Sequence, residues 1–414
     1  MKKVVVIGNG MVGYKFCQKL RASVGNERFS VTVYGEESIP AYDRVHLSEY
    51  FTDQSEEKLL MAPASWYTEN DITLKTGQLV TEIDRKTKTV KTHTGDSEPY
   101  DYLILATGSR PLVPKIEGVD KKGVFVYRTI EDLDQIISYA GNVKRGAVLG
   151  GGLLGLEAAK ALHDLQLNVQ VIEFAPRLMP RQLDEAGAAM LKHKIETLGI
   201  EILLGKNTSK IRGNGKLAGL DFSDGSSLHT EMLVISCGII SRDDLAEKSG
   251  LMTGKRGGFK VNEHLQTNDP NIYAIGEAAS YQDMVYGLVA PGYDMAEVVV
   301  HHLSGNTEKQ FTGADLSTKL KLIGVDVASF GDALGETEGC VPIGLEDKHS
   351  GIYKRINLSS DRKRLLGGIL VGEAEDFNLL LQVTQNGMAL PPEPADLILG
   401  SRGSNSGGDA GHGI

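Results

Sequence analysis

Two glycine-rich segments of the chain could each hold the phosphates of a dinucleotide. Residues 8–13 read Gly-Asn-Gly-Met-Val-Gly, and residues 150–155 again place glycine at the first, third and sixth positions. Glycine there permits a tight turn, close approach of the backbone to a pyrophosphate, and close packing of a helix on a strand. The free N–H groups at the start of that helix carry partial positive charge, so both segments predict phosphate binding.

An acidic residue follows each segment at about the 20-residue distance typical of ribose recognition. After the first segment this residue is Glu36, with Glu37 as the alternative, and after the second it is Glu173. A carboxylate at this place accepts hydrogen bonds from ribose hydroxyls. Because NADPH carries a phosphate on one of those oxygens, Glu173 predicts a preference for NADH, which the nearby cation Arg177 could oppose.

Two dinucleotide sites in one chain indicate two different dinucleotides. Two bound nicotinamides would have no reaction with each other, whereas a flavin dinucleotide can accept a hydride from a nicotinamide. We therefore predict an oxidoreductase whose cofactors are FAD and NADH.

The elements around the two segments have the order of a βαβ unit. Residues 3–7 and 146–149 are continuous apolar runs, typical of strands buried on both faces of a parallel sheet. A helical pattern follows each glycine segment, and a second apolar strand follows each helix, at residues 29–34 and 169–172.

Further apolar strands end near glycine at residues 102–108, 233–238 and 272–277. We predict an α/β fold with two Rossmann-like dinucleotide-binding domains, the second inserted into the first, and a C-terminal α+β domain. The predicted boundaries are 1–113 and 241–310 for the discontinuous first domain, 114–240 for the inserted domain, 311–400 for the α+β domain, and 401–414 for a flexible tail or linker.

Composition excludes several classes of protein. The 44 Lys and Arg and 54 Asp and Glu give a net charge of −10 without a basic stripe, so no nucleic-acid partner is predicted. The chain has no apolar run of about 18 residues and no signal-peptide pattern, so we predict a cytoplasmic protein without a membrane partner. Its three cysteines are far apart, which argues against a disulfide framework, a redox pair and a metal site.

Three further segments resemble a known family. Residues 41–48, 128–132 and 267–277 are similar to motifs of the pyridine-nucleotide flavin oxidoreductases of the glutathione-reductase class, especially rubredoxin, ferredoxin and putidaredoxin reductases. A narrower resemblance is to the N-terminal flavin region of the large subunit of NADH-dependent nitrite reductase. It is carried by residues 8–13, 42–48, 127–133, 153–157, 172–177 and 288–295.

The resemblance implies that the first domain binds FAD and that the inserted domain binds NADH. The residues implied at FAD are Gly8, Gly10, Val12 and Gly13 at the pyrophosphate, Glu36 or Glu37 at the ribose, Arg44 at the phosphates or ribose, Val80 near adenine, Arg128 at the flavin, Glu277 at the ribityl or phosphate end, Val289 and Ala290 at the flavin pyrimidine, and Ala106, Thr107, Gly108 and Gly276 at the strand ends. Those implied at NADH are Gly150, Gly152, Leu154 and Gly155 at the pyrophosphate, Glu173 at the ribose, Gly238 beside the dinucleotide, and Glu157, the one catalytic candidate, facing the carboxamide.

The implied activity is electron transfer in nitrate assimilation. NADH would reduce FAD, and single electrons would pass to an iron–sulfur or sirohaem acceptor, so the chain would be the NADH-oxidising part of a nitrite reductase. In that family the large subunit continues into cysteine-rich iron–sulfur and sirohaem domains, whose cysteines this chain lacks. The alternatives are a stand-alone NADH:rubredoxin or ferredoxin reductase, and a redox-sensing flavoprotein resembling apoptosis-inducing factor.

Overall fold

A computed structural model describes residues 1–399, and the predicted tail at 401–414 lies outside the described residues. The helices are α1 (Met11–Val24), α2 (Tyr50–Asp53), α3 (Glu56–Leu59), α4 (Ala64–Glu69), α5 (Ile130–Ala140), α6 (Leu153–Asp164), α7 (Glu185–Thr197), α8 (Leu245–Ser249), α9 (Val289–Ser304), α10 (Phe377–Gln385) and α11 (Asp396–Leu399). The strands are β1 (Lys2–Ile7), β2 (Phe29–Tyr34), β3 (Ile72–Lys75), β4 (Val80–Asp84), β5 (Thr89–Thr92), β6 (Ser97–Pro99), β7 (Tyr102–Leu105), β8 (Ser109–Pro111), β9 (Val124–Val126), β10 (Arg145–Leu149), β11 (Asn168–Ile172), β12 (Glu201–Leu203), β13 (Thr208–Arg212), β14 (Gly219–Phe222), β15 (Ser227–Leu228), β16 (Met232–Ile235), β17 (Ile239–Ser241), β18 (Phe259–Val261), β19 (Ile272–Ala274), β20 (Ala279–Tyr281), β21 (Thr318–Leu322), β22 (Val325–Gly331), β23 (Val341–Asp347), β24 (Ile352–Leu358) and β25 (Leu365–Val371).

The chain divides into two compact units. The first unit comprises Met1–Leu112, Arg128–Gln135 and Gly238–Asp315, and the second comprises Val113–Tyr127, Ile136–Cys237 and the described residues from Leu316 onward. The boundaries predicted for three separate domains stay predictions.

The first unit is built on a parallel sheet in the order β19-β7-β1-β2-β3. Its central strand β1 is buried from Val4 to Ile7, and α1 packs on the sheet through the fully buried Phe16 and Leu20. The first unit also contains an antiparallel sheet, β4-β5-β6, which contributes Val90 to the core of the unit. The strand order places the carboxyl ends of β1, β7 and β19 side by side, where α1 begins.

The second unit contains a matching parallel sheet in the order β12-β11-β10-β16-β9. Strand β10 leads into α6 as β1 leads into α1: each strand ends in a buried apolar run, and a glycine follows it directly. A three-stranded sheet, β13-β14-β15, covers this core through Ile211, Leu220 and Phe222.

The C-terminal part of the second unit is an antiparallel sheet in the order β21-β22-β25-β24-β23, with α10 packed on it. Strand β23 is an edge strand whose residues alternate between half-buried and exposed. Two parallel sheets followed by an antiparallel sheet with helices confirm the predicted fold class. Over the described residues, no helix is long and apolar enough to cross a membrane.

Candidate cofactor sites

The first glycine segment turns directly from β1 into α1. Gly8 has a φ of 109°, and a Cβ on it would lie 2.1 Å from the carbonyl oxygen of Ala106 at the end of β7. A Cβ on Gly13 would lie 2.1 Å from the carbonyl oxygen of Gly8, so packing demands glycine at both places. At Gly10, by contrast, a Cβ would meet no described atom within 4 Å. The middle glycine therefore borders open space at the start of α1, as a phosphate cradle requires.

Unsatisfied N–H groups in the first unit fit an anionic cofactor. Nδ2 of Asn9 and Nε of Arg128 are buried and have no hydrogen-bond acceptor among the described residues. The Asn9 amide is oriented by Tyr67, whose hydroxyl donates to Oδ1 at 2.9 Å. Sequence reasoning passed over Asn9, although it lies between the first two glycines of the motif. Because an unpaired buried donor is costly, such groups are expected to meet an acceptor such as a phosphate or ribose oxygen.

Both candidate ribose acids of the first unit already have cationic partners. Arg242 binds the carboxylate of Glu36, and Arg44 binds that of Glu37. The Tyr42 hydroxyl donates to Glu37 at 2.7 Å, and the Arg44 guanidinium lies 4.7 Å from the centre of the Tyr42 ring. The resemblance-based assignment of the ribose to one of these two acids stays a prediction.

A connected polar group joins Arg44 to Glu277. Nη1 of Arg44 donates to the carbonyl oxygen of Arg128 at 2.9 Å, and Nη2 of Arg128 donates to Oε2 of Glu277 at 2.6 Å. Ser109, which the sequence analysis did not single out, donates to the same carboxylate oxygen at 2.7 Å. Contacts between residues this far apart in the sequence leave no local sequence pattern. Motif resemblance therefore predicted Arg44, Arg128 and Glu277 as site residues, but it predicted neither Ser109 nor the contacts among these residues.

The remaining candidates of the first unit lie at strand ends and at a second helix start. A Cβ on Gly276 would lie 3.1 Å from Val12, and one on Gly292 would lie 2.5 Å from the same side chain. The first turn of α9, which contains Val289 and Ala290, therefore lies close to the first turn of α1. Ala106, Thr107 and Gly108 follow β7, and Val80 begins β4 as a buried residue.

The second glycine segment repeats the geometry of the first. A Cβ on Gly150 would lie 2.1 Å from the carbonyl oxygen of Ser236, and one on Gly155 would lie 2.0 Å from that of Gly150. At Gly152 a Cβ would meet no described atom within 4 Å. Leu154 lies in the first turn of α6, and Gly238 has a φ of 111° just beyond β16.

Glu173 is held against this second segment. Its Oε2 accepts the Gly151 N–H at 2.6 Å, and its Oε1 accepts the Ala175 N–H at 2.7 Å. Arg177 is engaged elsewhere, because Nε donates to the Leu183 carbonyl oxygen at 3.0 Å and Nη2 to that of Pro180 at 3.3 Å. The cation that could oppose a preference for NADH is thus bound within its own loop.

Glu157 lies on α6, two residues after the glycine segment, and is half-buried. It is close enough to Tyr127 to matter electrostatically: burial, and then the negative charge of Glu157, raise the pKa of the Tyr127 phenol. Tyr127 was not singled out from the sequence, although it begins one of the resembling segments.

Two of the three cysteines, Cys17 and Cys237, are poor candidates for redox chemistry. Burial raises the pKa of Cys17 to about 12, and burial followed by the charge of Glu173 raises that of Cys237 to about 11. Thiol–disulfide exchange needs a thiolate, which these environments disfavour near neutral pH.

Comparisons with known proteins agree with this arrangement. The model of the family described as pyridine nucleotide-disulphide oxidoreductase matches residues 2–298, and that of the rubredoxin NAD+ reductase C-terminal domain matches residues 317–388. The chain is 48% identical to the nitrite reductase (NADH) large subunit of Escherichia coli, over 96% of this chain and 47% of that protein. It is 36% identical to the assimilatory nitrate reductase electron transfer subunit of Bacillus subtilis, over 92% of this chain and 49% of that protein.

A solved structure of an NAD-dependent persulfide reductase from A. fulgidus superposes with a TM-score of 0.84 at 26% identity, over 94% of this chain and 77% of that one. The chain spans less than half the length of the nitrite reductase large subunits that it matches. At the level of the family, the predictions of an oxidoreductase and of FAD and NADH as its cofactors are confirmed. The chain belongs to the pyridine nucleotide-disulphide oxidoreductase family.

Proposed function

We propose that this chain takes electrons from NADH and delivers them through FAD to an iron–sulfur or sirohaem acceptor, as the NADH-oxidising part of a nitrite reductase. The observation that carries the proposal is the repeated geometry of the two glycine segments. In each, the first and last glycines are demanded by packing, while the middle one borders open space at a helix start. Two such cradles in a chain with these relatives favour one flavin and one nicotinamide dinucleotide.

The first unit supplies the FAD site. Backbone N–H groups at the start of α1 bind the pyrophosphate beside Gly10, and Asn9 Nδ2 donates to a phosphate or ribose oxygen. Glu36 or Glu37 takes the ribose hydroxyls. Arg44 and Arg128 provide positive charge. Glu277 orients the Arg128 side chain, because its Oε2 accepts a hydrogen bond from Nη2 of Arg128 at 2.6 Å. FAD, when bound, accepts a hydride and can pass its electrons on singly.

The second unit supplies the NADH site. The start of α6 beside Gly152 binds the pyrophosphate, Glu173 accepts the ribose hydroxyls, and Glu157 orients the nicotinamide carboxamide. The protein contributes alignment and electrostatics, and hydride transfer needs no side chain as acid or base. Reduction of a disulfide through a redox-active cysteine pair is disfavoured, because Cys17, Cys237 and Cys340 are all unpaired and burial raises the pKa of Cys17 and Cys237.

The choice of electron acceptor rests on the relatives of the chain. The nitrite reductase relatives favour a sirohaem or iron–sulfur partner, and a cytoplasmic location belongs to the same proposal. The match of residues 317–388 to the C-terminal domain of rubredoxin NAD+ reductase favours, as the second candidate, a stand-alone reductase of a small iron–sulfur protein.

The test uses the purified chain loaded with FAD. With NADH it should reduce ferricyanide but should not consume nitrite, because nitrite reduction requires the sirohaem partner. Nitrite consumption by the chain with only NADH and FAD would contradict this division of labour. Failure to reduce ferricyanide would contradict the proposal altogether.

A further inference from the structure

The loop between β11 and α7, residues 173–184, is fixed at both ends. At its start, Glu173 accepts the Gly151 N–H, and farther along the Met179 N–H donates to the Gly151 carbonyl oxygen at 3.1 Å. Leu178 is fully buried and packs so closely that a Cβ on Gly151 would lie 2.7 Å from it. This β11–α7 loop is therefore one wall of the second glycine segment.

The middle of the β11–α7 loop is tied to its end by Arg177. The guanidinium donates to the carbonyl oxygens of Pro180 and Leu183, so the last residues of the loop cannot move without disturbing Arg177. Leu183 is fully buried, which anchors this end in the core of the second unit. The position of the next residue, Asp184, is thus coupled to the wall that carries Glu173.

Asp184 is held by the C-terminal sheet of the same unit. It caps α7 by accepting the Gly187 N–H at 2.9 Å, and its other oxygen accepts the Tyr353 hydroxyl at 2.5 Å and Nη1 of Arg355 at 2.8 Å. The Asp184 and Arg355 side chains are only 16% and 20% exposed, so solvent screens this ion pair weakly. Burial alone would raise the pKa of Asp184, but these hydrogen bonds outweigh it and lower the pKa.

The Arg355 side chain, on the other side of the Asp184 contact, is also held in place by hydrogen bonds. Nε of Arg355 donates to Oδ1 of Asn357 at 2.9 Å, and the fully buried Asn357 donates from Nδ2 to the carbonyl oxygens of Asp332 and Ala333. Arg355 therefore presents its charge to Asp184 in a fixed direction.

We propose that the C-terminal sheet positions the NADH-binding wall, with Tyr353 and Arg355 acting on Glu173 through Asp184 and the β11–α7 loop. Tyr353 and Arg355 are positioning residues, since both hydrogen-bond Asp184 at the end of the loop and act on Glu173 only through it. The inference rests on the proposed binding of NADH at the second glycine segment, and it gives the C-terminal sheet a part in nucleotide binding.

Steady-state kinetics of the FAD-loaded chain with ferricyanide test this. Tyr353→Phe, Asp184→Asn and Arg355→Met each should raise KM for NADH, by about threefold to tenfold for the loss of one or two hydrogen bonds, with kcat within about twofold. Asp184→Asn is informative because asparagine retains the helix cap but loses the charge. The preference for NADH over NADPH should fall in the same variants, since it depends on where Glu173 lies.

Three controls separate positioning from loss of structure. Arg355→Lys keeps the charge and should restore most of the affinity lost in Arg355→Met. The double variant Asp184→Asn/Arg355→Met should have a KM for NADH no higher than that of the more affected single variant, because both substitutions remove the same Asp184–Arg355 contact. Lys354→Met removes a side chain that alternation of the strand places on the other face of β24, paired with Glu373 and Asp376. It should lower Tm yet leave KM for NADH unchanged.

An unchanged KM and nucleotide preference in Tyr353→Phe, Asp184→Asn and Arg355→Met would overturn the inference while leaving the proposed function intact. An equal rise in KM for Lys354→Met would also overturn it, because any damage to the sheet would then suffice. A wild-type chain that does not oxidise NADH would overturn the proposed function, and this inference with it.

Discussion

Nη2 of Arg128 lies 2.6 Å from Oε2 of Glu277, although the two residues are 149 positions apart in the chain. Both side chains are about one-fifth exposed, and Ser109 donates to the same oxygen. Nε of Arg128 has no acceptor among the described residues, so the arginine can bind an anion and Glu277 together.

We expect Arg128→Met to weaken FAD binding about tenfold or more, because it removes a largely buried cation and leaves the Glu277 carboxylate without its cationic partner. Calorimetric titration of the FAD-free chain with FAD measures this. Arg110→Met is the matched control, since it breaks the exposed Arg110–Asp244 pair of the same unit. Equal affinities of Arg128→Met and wild type for FAD would remove Arg128 from the FAD site.

The middle and last glycines of the second segment should respond differently to one added methyl group. Gly152→Ala places a Cβ in open space, so we expect an unchanged Tm but a KM for NADH raised by at least about tenfold, because the methyl blocks the pyrophosphate. Gly155→Ala places a Cβ 2.0 Å from a backbone oxygen, so we expect a lower Tm. Thermal unfolding and NADH kinetics of both variants distinguish the two effects. A normal KM in Gly152→Ala would contradict the assigned cradle.

Glu173 should set the preference for NADH over NADPH. A 2′-phosphate near this carboxylate adds a repulsion of a few kcal/mol before screening by water. The about 1.4–2.8 kcal/mol that remains after screening makes kcat/KM about 10- to 100-fold higher for NADH than for NADPH. Glu173→Ala should reduce the ratio of kcat/KM for NADH to kcat/KM for NADPH toward one. Glu231→Ala is the matched control, because Glu231 also accepts two backbone N–H groups, those of Lys144 and Arg145. Equal use of both nucleotides by the wild type would contradict the prediction.

The ion pairs of Glu297 predict a pH dependence of stability. Hydrogen bonds from Lys19 and Lys309 lower the pKa of Glu297 to about 2. A carboxyl group with a lowered folded-state pKa stabilises the protein above its unfolded-state pKa, about 4.3, and loses this contribution as pH falls toward 2. We expect Glu297→Gln to lower Tm at pH 7, modestly because the side chain is about one-third exposed. The difference in Tm from wild type should shrink between pH 7 and about 3; a constant difference would contradict the assignment.

The sequence predicted the parts of the fold that local pattern determines. Strands β1 and β10 are continuous apolar runs followed by glycine, so the glycine segments and both parallel sheets were predictable. Strand β23 carries no such signal, because it is an edge strand with one exposed face and is interrupted by Pro342 and Gly344.

The contacts that organise the candidate sites were harder to foresee. The acids at Glu36 and Glu173 were predictable from their distance to a glycine motif. The partners Arg242 and Gly151 were not, since a side-chain contact between distant residues depends on the finished packing. The same holds for Asp184 with Arg355, which are 171 positions apart.

We expect NADH bound by this chain to reduce FAD bound by the same chain. Anaerobic titration of the FAD-loaded protein with NADH, followed through the visible flavin absorbance, tests it most directly. We predict that the yellow absorbance is lost with about one NADH per FAD, from the two-electron stoichiometry of hydride transfer, and that Gly152→Ala needs more NADH. A flavin that dithionite reduces but NADH does not would contradict the claim.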